Sequence, residues 1–61
     1  MQVGDMVKVQ TKFNGWCRGI ILSEDKQDWM PDGYRVLYEA SPRCWRKIHA
    51  LPQDLKLLTS S

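Results

Sequence analysis

The chain has few of the side chains from which metal centres and disulfide frameworks are built. It contains two cysteines, Cys17 and Cys44, which form no C-x-x-C pair, and one histidine, His49. These residues cannot supply a standard four-ligand zinc site, and we predict no metal or cofactor. We expect two buried or half-buried thiols in a reducing compartment. A disulfide between them stays open, because it requires that their strands be neighbours.

Long apolar runs are absent as well. No stretch of the sequence approaches the roughly 20 apolar residues of a membrane-spanning helix. No charged segment followed by an apolar one marks a secretory signal. The sequence therefore predicts a cytoplasmic protein without a membrane partner.

Neither sign of charge dominates. Nine Lys and Arg residues face seven Asp and Glu, which gives a net charge of +2. Dedicated nucleic-acid-binding domains are usually more basic, so this balance slightly favours a protein partner over nucleic acid. A chain of 61 residues forms a single domain. Such a domain buries only about 60% of its unfolded surface, which leaves apolar area for self-association or a partner.

What the sequence does contain is alternation of apolar and polar residues between turn signals, which predicts half-buried strands. Val7 and Val9 alternate in this way, and Asn14-Gly15 is a turn signal. Gly19 marks either a bulge or the close approach of another backbone. We predict strands at about Met6–Gln10, Trp16–Leu22, Tyr34–Glu39, Cys44–His49 and Leu55–Leu58, irregular segments at Thr11–Gly15, Ser23–Gly33 and Ala40–Arg43, and a helical or 3₁₀ turn at Leu51–Asp54.

Five short strands in a meander, with one 3₁₀ turn before the last, form the layout of an SH3-like barrel. Gly4-Asp5 leads into the first strand and Leu51-Pro52-Gln53-Asp54 precedes the last. Pairing the first strand with the last closes such a barrel and removes exposed strand edges, which promote aggregation. The prediction is an all-β, five-stranded SH3-like barrel over residues 1–58, with a disordered tail at 59–61.

The segment Arg43–His49 is the densest run of cationic and aromatic residues. On a strand, Trp45, Lys47 and His49 share a face, where a ring flanked by donors could stack on a base or hold phosphate oxygens. The alternative is an ordinary exposed face with extended basic side chains. The candidate binding residues are Trp45, Arg46, Lys47 and His49, with Trp16, Arg18 and Tyr38 as neighbours, and Lys8 and Lys12 extend the patch if their strands are adjacent.

The three tryptophans allow a second interpretation. Trp16, Trp29 and Trp45 could form a shallow groove for an extended peptide, or could cap the ends of a barrel too small to bury them. Trp29 lies in the longest irregular segment. It is the ring that we expect to dock against a partner or to fold back as a lid.

No catalytic residue is predicted. His49 has no Ser or Cys placed with it in a nucleophile motif, and the chain has no second histidine. Asp5, Asp32 and Asp54 all occupy turn contexts, in which carboxylates bind the local backbone.

The two ends of the chain resemble small SH3-like proteins encoded by bacteriophages and mobile elements. The shared features are the Gly4-Asp5-x-Val7-x-Val9 start, a Trp in the fourth strand and an Asp54-Leu55 step before the last strand. This resemblance covers the whole chain and implies the fold, but no single activity.

The centre of the chain resembles the plasmid-borne, trimethoprim-resistant type B dihydrofolate reductases, through Pro31-x-Gly33-Tyr34-x-Val36-x-x-Glu39-Ala40-x-Pro42. Those enzymes are SH3-like barrels that assemble as tetramers around a pore lined by a Val-Gln-Ile-Tyr motif and a Lys. The counterpart here is Arg46-Lys47-Ile48-His49, in which Lys47 replaces the Gln and His49 the Tyr, and Lys12 stands for the pore Lys. This resemblance implies an oligomeric, NADPH-dependent reductase.

The residues themselves favour a non-catalytic SH3-like binding module that recognises a partner through one aromatic and basic strand face. A protein partner or self-association is expected ahead of nucleic acid. The type B reductase-like enzyme, with NADPH as its cofactor, is the alternative.

Overall fold

The computed structural model describes residues 1–26 and 28–58, which form one antiparallel sheet and one 3₁₀ turn. The strands are β1 (Met6–Thr11), β2 (Gly15–Asp25), β3 (Gly33–Ser41), β4 (Cys44–Ala50) and β5 (Leu55–Leu57), and the 3₁₀ turn spans Pro52–Asp54. The predicted all-β class and the 3₁₀ turn before the last strand are confirmed. The predicted tail, 59–61, lies outside the described residues.

The first and last strands are paired, as the sequence predicts. The order across the sheet is β4-β3-β2-β1-β5. Val7 lies opposite Leu57 and Val9 opposite Leu55, and the Leu58 N–H donates to the Met6 carbonyl at 2.9 Å. Within the described chain, β4 and β5 are the two edges of the sheet. The sheet is therefore open, and closure into a barrel stays a prediction.

The Gly-Asp turn anchors the start of the chain to β2. Gly4 has a φ of +92°, in the left-handed region that glycine adopts without steric cost. Its N–H donates to the Ile21 carbonyl at 2.8 Å, and the Ile21 N–H donates to the Asp5 carbonyl at 3.1 Å. The Asp5 carboxylate accepts from the Gln2 N–H at 2.8 Å, which is the local backbone role predicted for it.

The second strand is longer than predicted. It continues through Ser23 to Asp25, so the predicted irregular segment begins later than expected. The register shifts between Ile21 and Ser23, and the strand then resumes pairing with Ser23 opposite Arg35. The extension could not be recognised from the sequence, because the residues at the end of this strand are polar and do not alternate with apolar ones. Likewise, β3 runs to Ser41, which shortens the predicted turn before β4.

Gly19 marks the close approach of a backbone, one of its two predicted roles. A Cβ at this position would lie 2.6 Å from the Leu37 carbonyl oxygen on β3. The bulge suggested as the other role lies instead at the register shift after Ile21.

One face of the sheet forms the core. Val7, Val9, Ile21 and Val36 are completely or almost completely buried. The buried cluster draws residues from all five strands, which requires the sheet to coil over its own apolar face, since a flat sheet would leave that face in water. Tyr34, Val36 and Tyr38 share this face, as predicted.

Candidate binding face

Strand register sorts the side chains onto two sides of the sheet, because directly opposed residues in antiparallel strands project to the same side. We call the side opposite the core the outer face. Its members are Met6, Lys8, Gln10, Trp16, Arg18, Ile20, Ser23, Asp25, Arg35, Leu37, Glu39, Trp45, Lys47, His49 and Lys56. Five of the seven predicted binding residues are among them.

The other two predicted residues, Tyr38 and Arg46, lie on the core side of the sheet. They oppose each other across β3 and β4, and Tyr38 is only 8% exposed. Alternation along β4 separates Arg46 from its neighbours Trp45 and Lys47. The predicted group of seven is therefore two groups on opposite sides of one sheet.

Two tryptophans stand on the outer face. Trp45 opposes Glu39 and is 50% exposed, and Trp16 opposes Gln10 and is 41% exposed. Continuing the register by one residue places Arg18 level with Trp45. Strand spacings of about 4.8 Å and rises of about 3.3 Å per residue then put the two tryptophan Cα atoms on the order of 12 Å apart.

A row of three cations crosses the sheet beside Trp16. Lys8 on β1 lies directly opposite Arg18 on β2 and directly opposite Lys56 on β5. The Lys56 ammonium lies 4.8 Å from the centroid of the Trp16 ring, which is cation–π geometry. We call Lys56, Lys8 and Arg18 the cation row.

The charges of this small protein are segregated. Five of the nine Lys and Arg residues project from the outer face. Only two carboxylates share that face, Glu39 and Asp25, and Asp25 is engaged by Arg35 and His49. The other acidic residues are Asp5, Glu24, Asp28, Asp32 and Asp54, in turns, loops or on the other side of the sheet. The net charge of +2 conceals this separation.

No ion pair balances the cation row within the described residues. The salt bridges there involve only Asp25, which contacts Arg35 and His49. Like charges directly opposite each other on neighbouring strands destabilise a sheet. Glu39 on β3 is level with Arg18 but forms no ion pair with it in the described structure, so the row carries an unfavourable electrostatic energy that an anion would offset.

His49 occupies a different environment from the rest of the outer face. Its Nδ1 lies 2.7 Å from Asp25 Oδ2, and Arg35 Nη2 lies 3.5 Å from the same oxygen. Since a carboxylate only accepts, Nδ1 is the donor. The Nε2 atom is buried without a hydrogen-bond partner in the described part of the chain. We call Asp25, Arg35 and His49 the Asp25 corner.

The core side offers a groove between the β1–β2 turn and the β3–β4 hairpin. It holds a cavity of about 380 Å³ whose lining includes Lys12, Phe13, Tyr38 and Arg46. The Asn14 side-chain amide donates to the Ala40 carbonyl at 3.1 Å and ties the turn to β3. Arg46, its predicted neighbour Tyr38, and Lys12, which was predicted to extend the patch, therefore line this groove.

Trp29 neither folds back as a lid nor packs into the core, because it is 78% exposed in the loop before β3. Docking of this ring on a partner stays a prediction.

Both cysteines are free thiols, Cys17 buried and Cys44 half-buried. Over residues 1–26 and 28–58, no three His, Cys, Asp or Glu side chains are grouped to hold a metal ion. No helix in these same ranges has the length and apolar character to cross a membrane.

Comparison of the chain with protein-family models, curated proteins and solved structures gives no match. Both resemblances described from the sequence therefore stay predictions. The site must be interpreted from its own geometry.

Two outer-face contributors were not recognised from the sequence. Lys56 was missed because its strand has only three residues, although the Leu55-Lys56-Leu57 alternation places it opposite the core. Asp25 was missed because it follows the register shift in β2. Lys8 and Arg18 do adjoin, as the predicted extension of the patch required.

Proposed function

We propose that this protein is a non-catalytic SH3-like binding module whose outer face binds a polyanionic partner. The observation that carries the proposal is the cation row, which lies beside two exposed tryptophans and has no carboxylate partner in the described structure. The sheet order and the β1–β5 pairing support the SH3-like assignment.

Electrostatics favours this face for an anion. Lys8, Arg18 and Lys56 are all exposed, so a bound anion would contact them without first breaking an ion pair. An anion that bridges them offsets their mutual repulsion, because its attraction to each cation is gained only in the complex. The cations are thus already in place for an anion, and their repulsion lowers the stability of the free protein.

The same charge makes the outer face unsuitable for pairing with a second copy of the chain, since two cation rows would face each other. Self-association stays a separate prediction. The exposed apolar side chains of Val3, Leu57 and Leu58, near the chain ends, are the surface that favours it.

Reductase activity is not a second proposal. It would require His49 to line a shared pore, whereas this ring is hydrogen-bonded to Asp25 and its side chain is 18% exposed. No contact within the described residues favours NADPH over another anion.

Charge reversal at the cation row tests the proposal. Lys8→Glu combined with Arg18→Glu changes the net charge by four, from +2 to −2. We expect at least a tenfold loss of affinity for a labelled polyanion in fluorescence anisotropy at low salt, where surface charges are least screened. The two polyanions measured are a poly-glutamate peptide and an oligothymidylate.

The matched control is Lys12→Glu combined with Lys26→Glu, which changes the net charge equally at exposed positions away from the outer face. This pair should lose much less affinity. Equal losses in the two double variants would mean that net charge alone governs binding. Absence of binding to either polyanion would refute the proposal.

A further inference from the structure

We infer that the partner of the outer face is a single-stranded nucleic acid. This inference rests on the proposed function and identifies the chemical class of its ligand. It departs from the preference for a protein partner that the net charge suggests, because the relevant quantity is the charge of one face.

The tryptophans supply the first argument. The Cα atoms of Trp16 and Trp45 lie on the order of 12 Å apart, on strands separated by β3, so the two rings occupy separate positions on the outer face. Both rings are about half exposed. Trp45 is therefore the ring more open to a planar group, because Lys56 lies over Trp16, and unpaired bases supply such groups in series.

The positions of the cations supply the second argument. The cation row lies at the level of Trp45, with Glu39 on β3 between Arg18 and Trp45, and Trp16 lies two residues from Arg18 on the same face of β2. Lys47 adds a fourth cation two residues beyond Trp45 on the same face. Stacked bases joined by a phosphate backbone need cations close to the rings, and here Lys56 contacts the Trp16 ring while Lys47 and Trp45 share one face of β4.

Apolar surface beside the cation row, on the side away from Trp16, supplies the third argument. Met6, Ile20, Leu37 and Lys47 form a second row across the four strands. Ile20 and Leu37 are only half-buried, so they present apolar atoms to a bound base or sugar. An acidic peptide would satisfy the cations but would leave these rings and this row in water.

A duplex fits the face less well than a single strand. Its bases are stacked on each other, so their planes are not available to Trp16 or Trp45, and only its phosphates could be contacted. A sheet surface that combines rings with cations is the platform used for single strands. We therefore expect a preference for unpaired nucleic acid.

The test measures binding of a labelled oligothymidylate of about 12 nucleotides, within the ~4–16 nucleotide site sizes of small barrel domains. A duplex of the same length and the poly-glutamate peptide are measured in parallel. We expect the single strand to bind tightest and to quench tryptophan fluorescence. With four cations contacting phosphates, log K should fall against log salt with a slope of about −3.

Ring deletions sharpen the test. Trp45→Ala should weaken oligothymidylate binding about 5- to 150-fold, the range for losing one stacked base. Trp45→Phe keeps a stacking ring and should retain most of the affinity. Poly-glutamate binding should be unchanged in both variants, because carboxylates do not stack. Thermal melts of each variant establish that it is folded.

The failures of the two proposals are distinguishable. Equal affinity for the single strand, the duplex and poly-glutamate, with sensitivity to Lys8→Glu and Arg18→Glu, would overturn the nucleic-acid inference and leave a general polyanion-binding face. Full oligothymidylate affinity in a folded Trp45→Ala variant would also overturn it. Absence of binding to every polyanion would remove both proposals.

Discussion

The two ends of β4 carry outer-face side chains in opposite conditions. Trp45 is half exposed and has no side-chain hydrogen bond to any residue that the structure describes, whereas the His49 ring is held by Asp25 and largely covered. Both residues were assigned to one binding surface by strand alternation. The alternation of residues along one strand determines on which side of the sheet each side chain lies. Residues on neighbouring strands determine whether that side chain is free to bind.

The register shift in β2 produces this difference. After Ile21 the strand resumes pairing at Ser23, and Asp25 then lies opposite Gly33 at the far end of β3. From there its carboxylate reaches across to His49 on β4. Within residues 1–26 and 28–58 no carboxylate forms an ion pair with Lys47, whose opposite residue is Leu37. We therefore expect variants at the Asp25 corner to change stability and variants near Trp45 to change binding.

Asp25→Ala should have the largest effect on stability. It leaves His49 Nδ1 without its acceptor and removes the Arg35 contact, and losing a hydrogen bond to a charged group costs about 1.5–3 kcal/mol. A 61-residue domain has a total stability of roughly 3–9 kcal/mol, so this is a large share. Urea denaturation, read from its midpoint, measures the loss.

Asp25→Asn is the control for that variant, because its amide oxygen still accepts from His49 Nδ1. It should lose clearly less stability than Asp25→Ala. The folded fraction of either variant should keep wild-type affinity for oligothymidylate. Wild-type stability in Asp25→Ala would show that the corner is not structural, and a specific loss of affinity would show that it belongs to the binding face.

Gly33→Ala should have the next largest effect. A Cβ at Gly33 would lie 2.5 Å from the Ala50 carbonyl oxygen and 3.0 Å from His49 Cε1 and Nε2. Because a backbone atom must move, we expect a loss of about 1–2 kcal/mol, as for other overpacked sites. The fall in thermal midpoint reports this loss.

Gly15→Asn provides the comparison for Gly33. Gly15 has a φ of +65° and no atom within 4 Å of an added Cβ, and Asn tolerates this conformation better than other side chains. Its thermal midpoint should change much less. If the two variants melt alike, crowding against β4 is not the reason that position 33 is glycine.

Trp29→Ala should have the smallest effect. The ring is largely exposed and belongs to neither the core nor the outer face, so stability should change by less than about 0.5 kcal/mol. Affinity for oligothymidylate should match the wild type. A loss of affinity comparable to that of Trp45→Ala would place the β2–β3 loop in the binding surface and restore the docking role predicted for this ring.

Much of the fold was predictable from local patterns. Alternation at Val7 and Val9, turn residues such as Gly4-Asp5, and the Leu51–Asp54 step identify strands and connections through properties of neighbouring residues. The same alternation predicted which side chains of β3 share the core side of the sheet. The extension of β2 to Asp25 was not predictable, because a register shift is set by pairing with β3 and leaves no period in the sequence.

The candidate site was predictable only in part. Trp45, Lys47 and His49 share a face because they alternate on one strand, and this needs no knowledge of neighbours. The cation row depends on three strands meeting at one level. Lys8, Arg18 and Lys56 are many residues apart in the sequence, and no local pattern shows that their strands align at this level. The hydrogen bond between His49 and Asp25 was not predictable either, because these residues are also far apart in the sequence.

The shortest strand has a consequence beyond the fold. β5 contributes Leu55 to the core and Lys56 to the cation row, so one three-residue segment takes part in folding and in the proposed binding face. A ligand that spans the row bridges β5, β1 and β2 and holds the last strand against the sheet. Ligand affinity and the docking of the chain's last strand are therefore thermodynamically linked, and amide exchange in β5 should slow as the ligand is added.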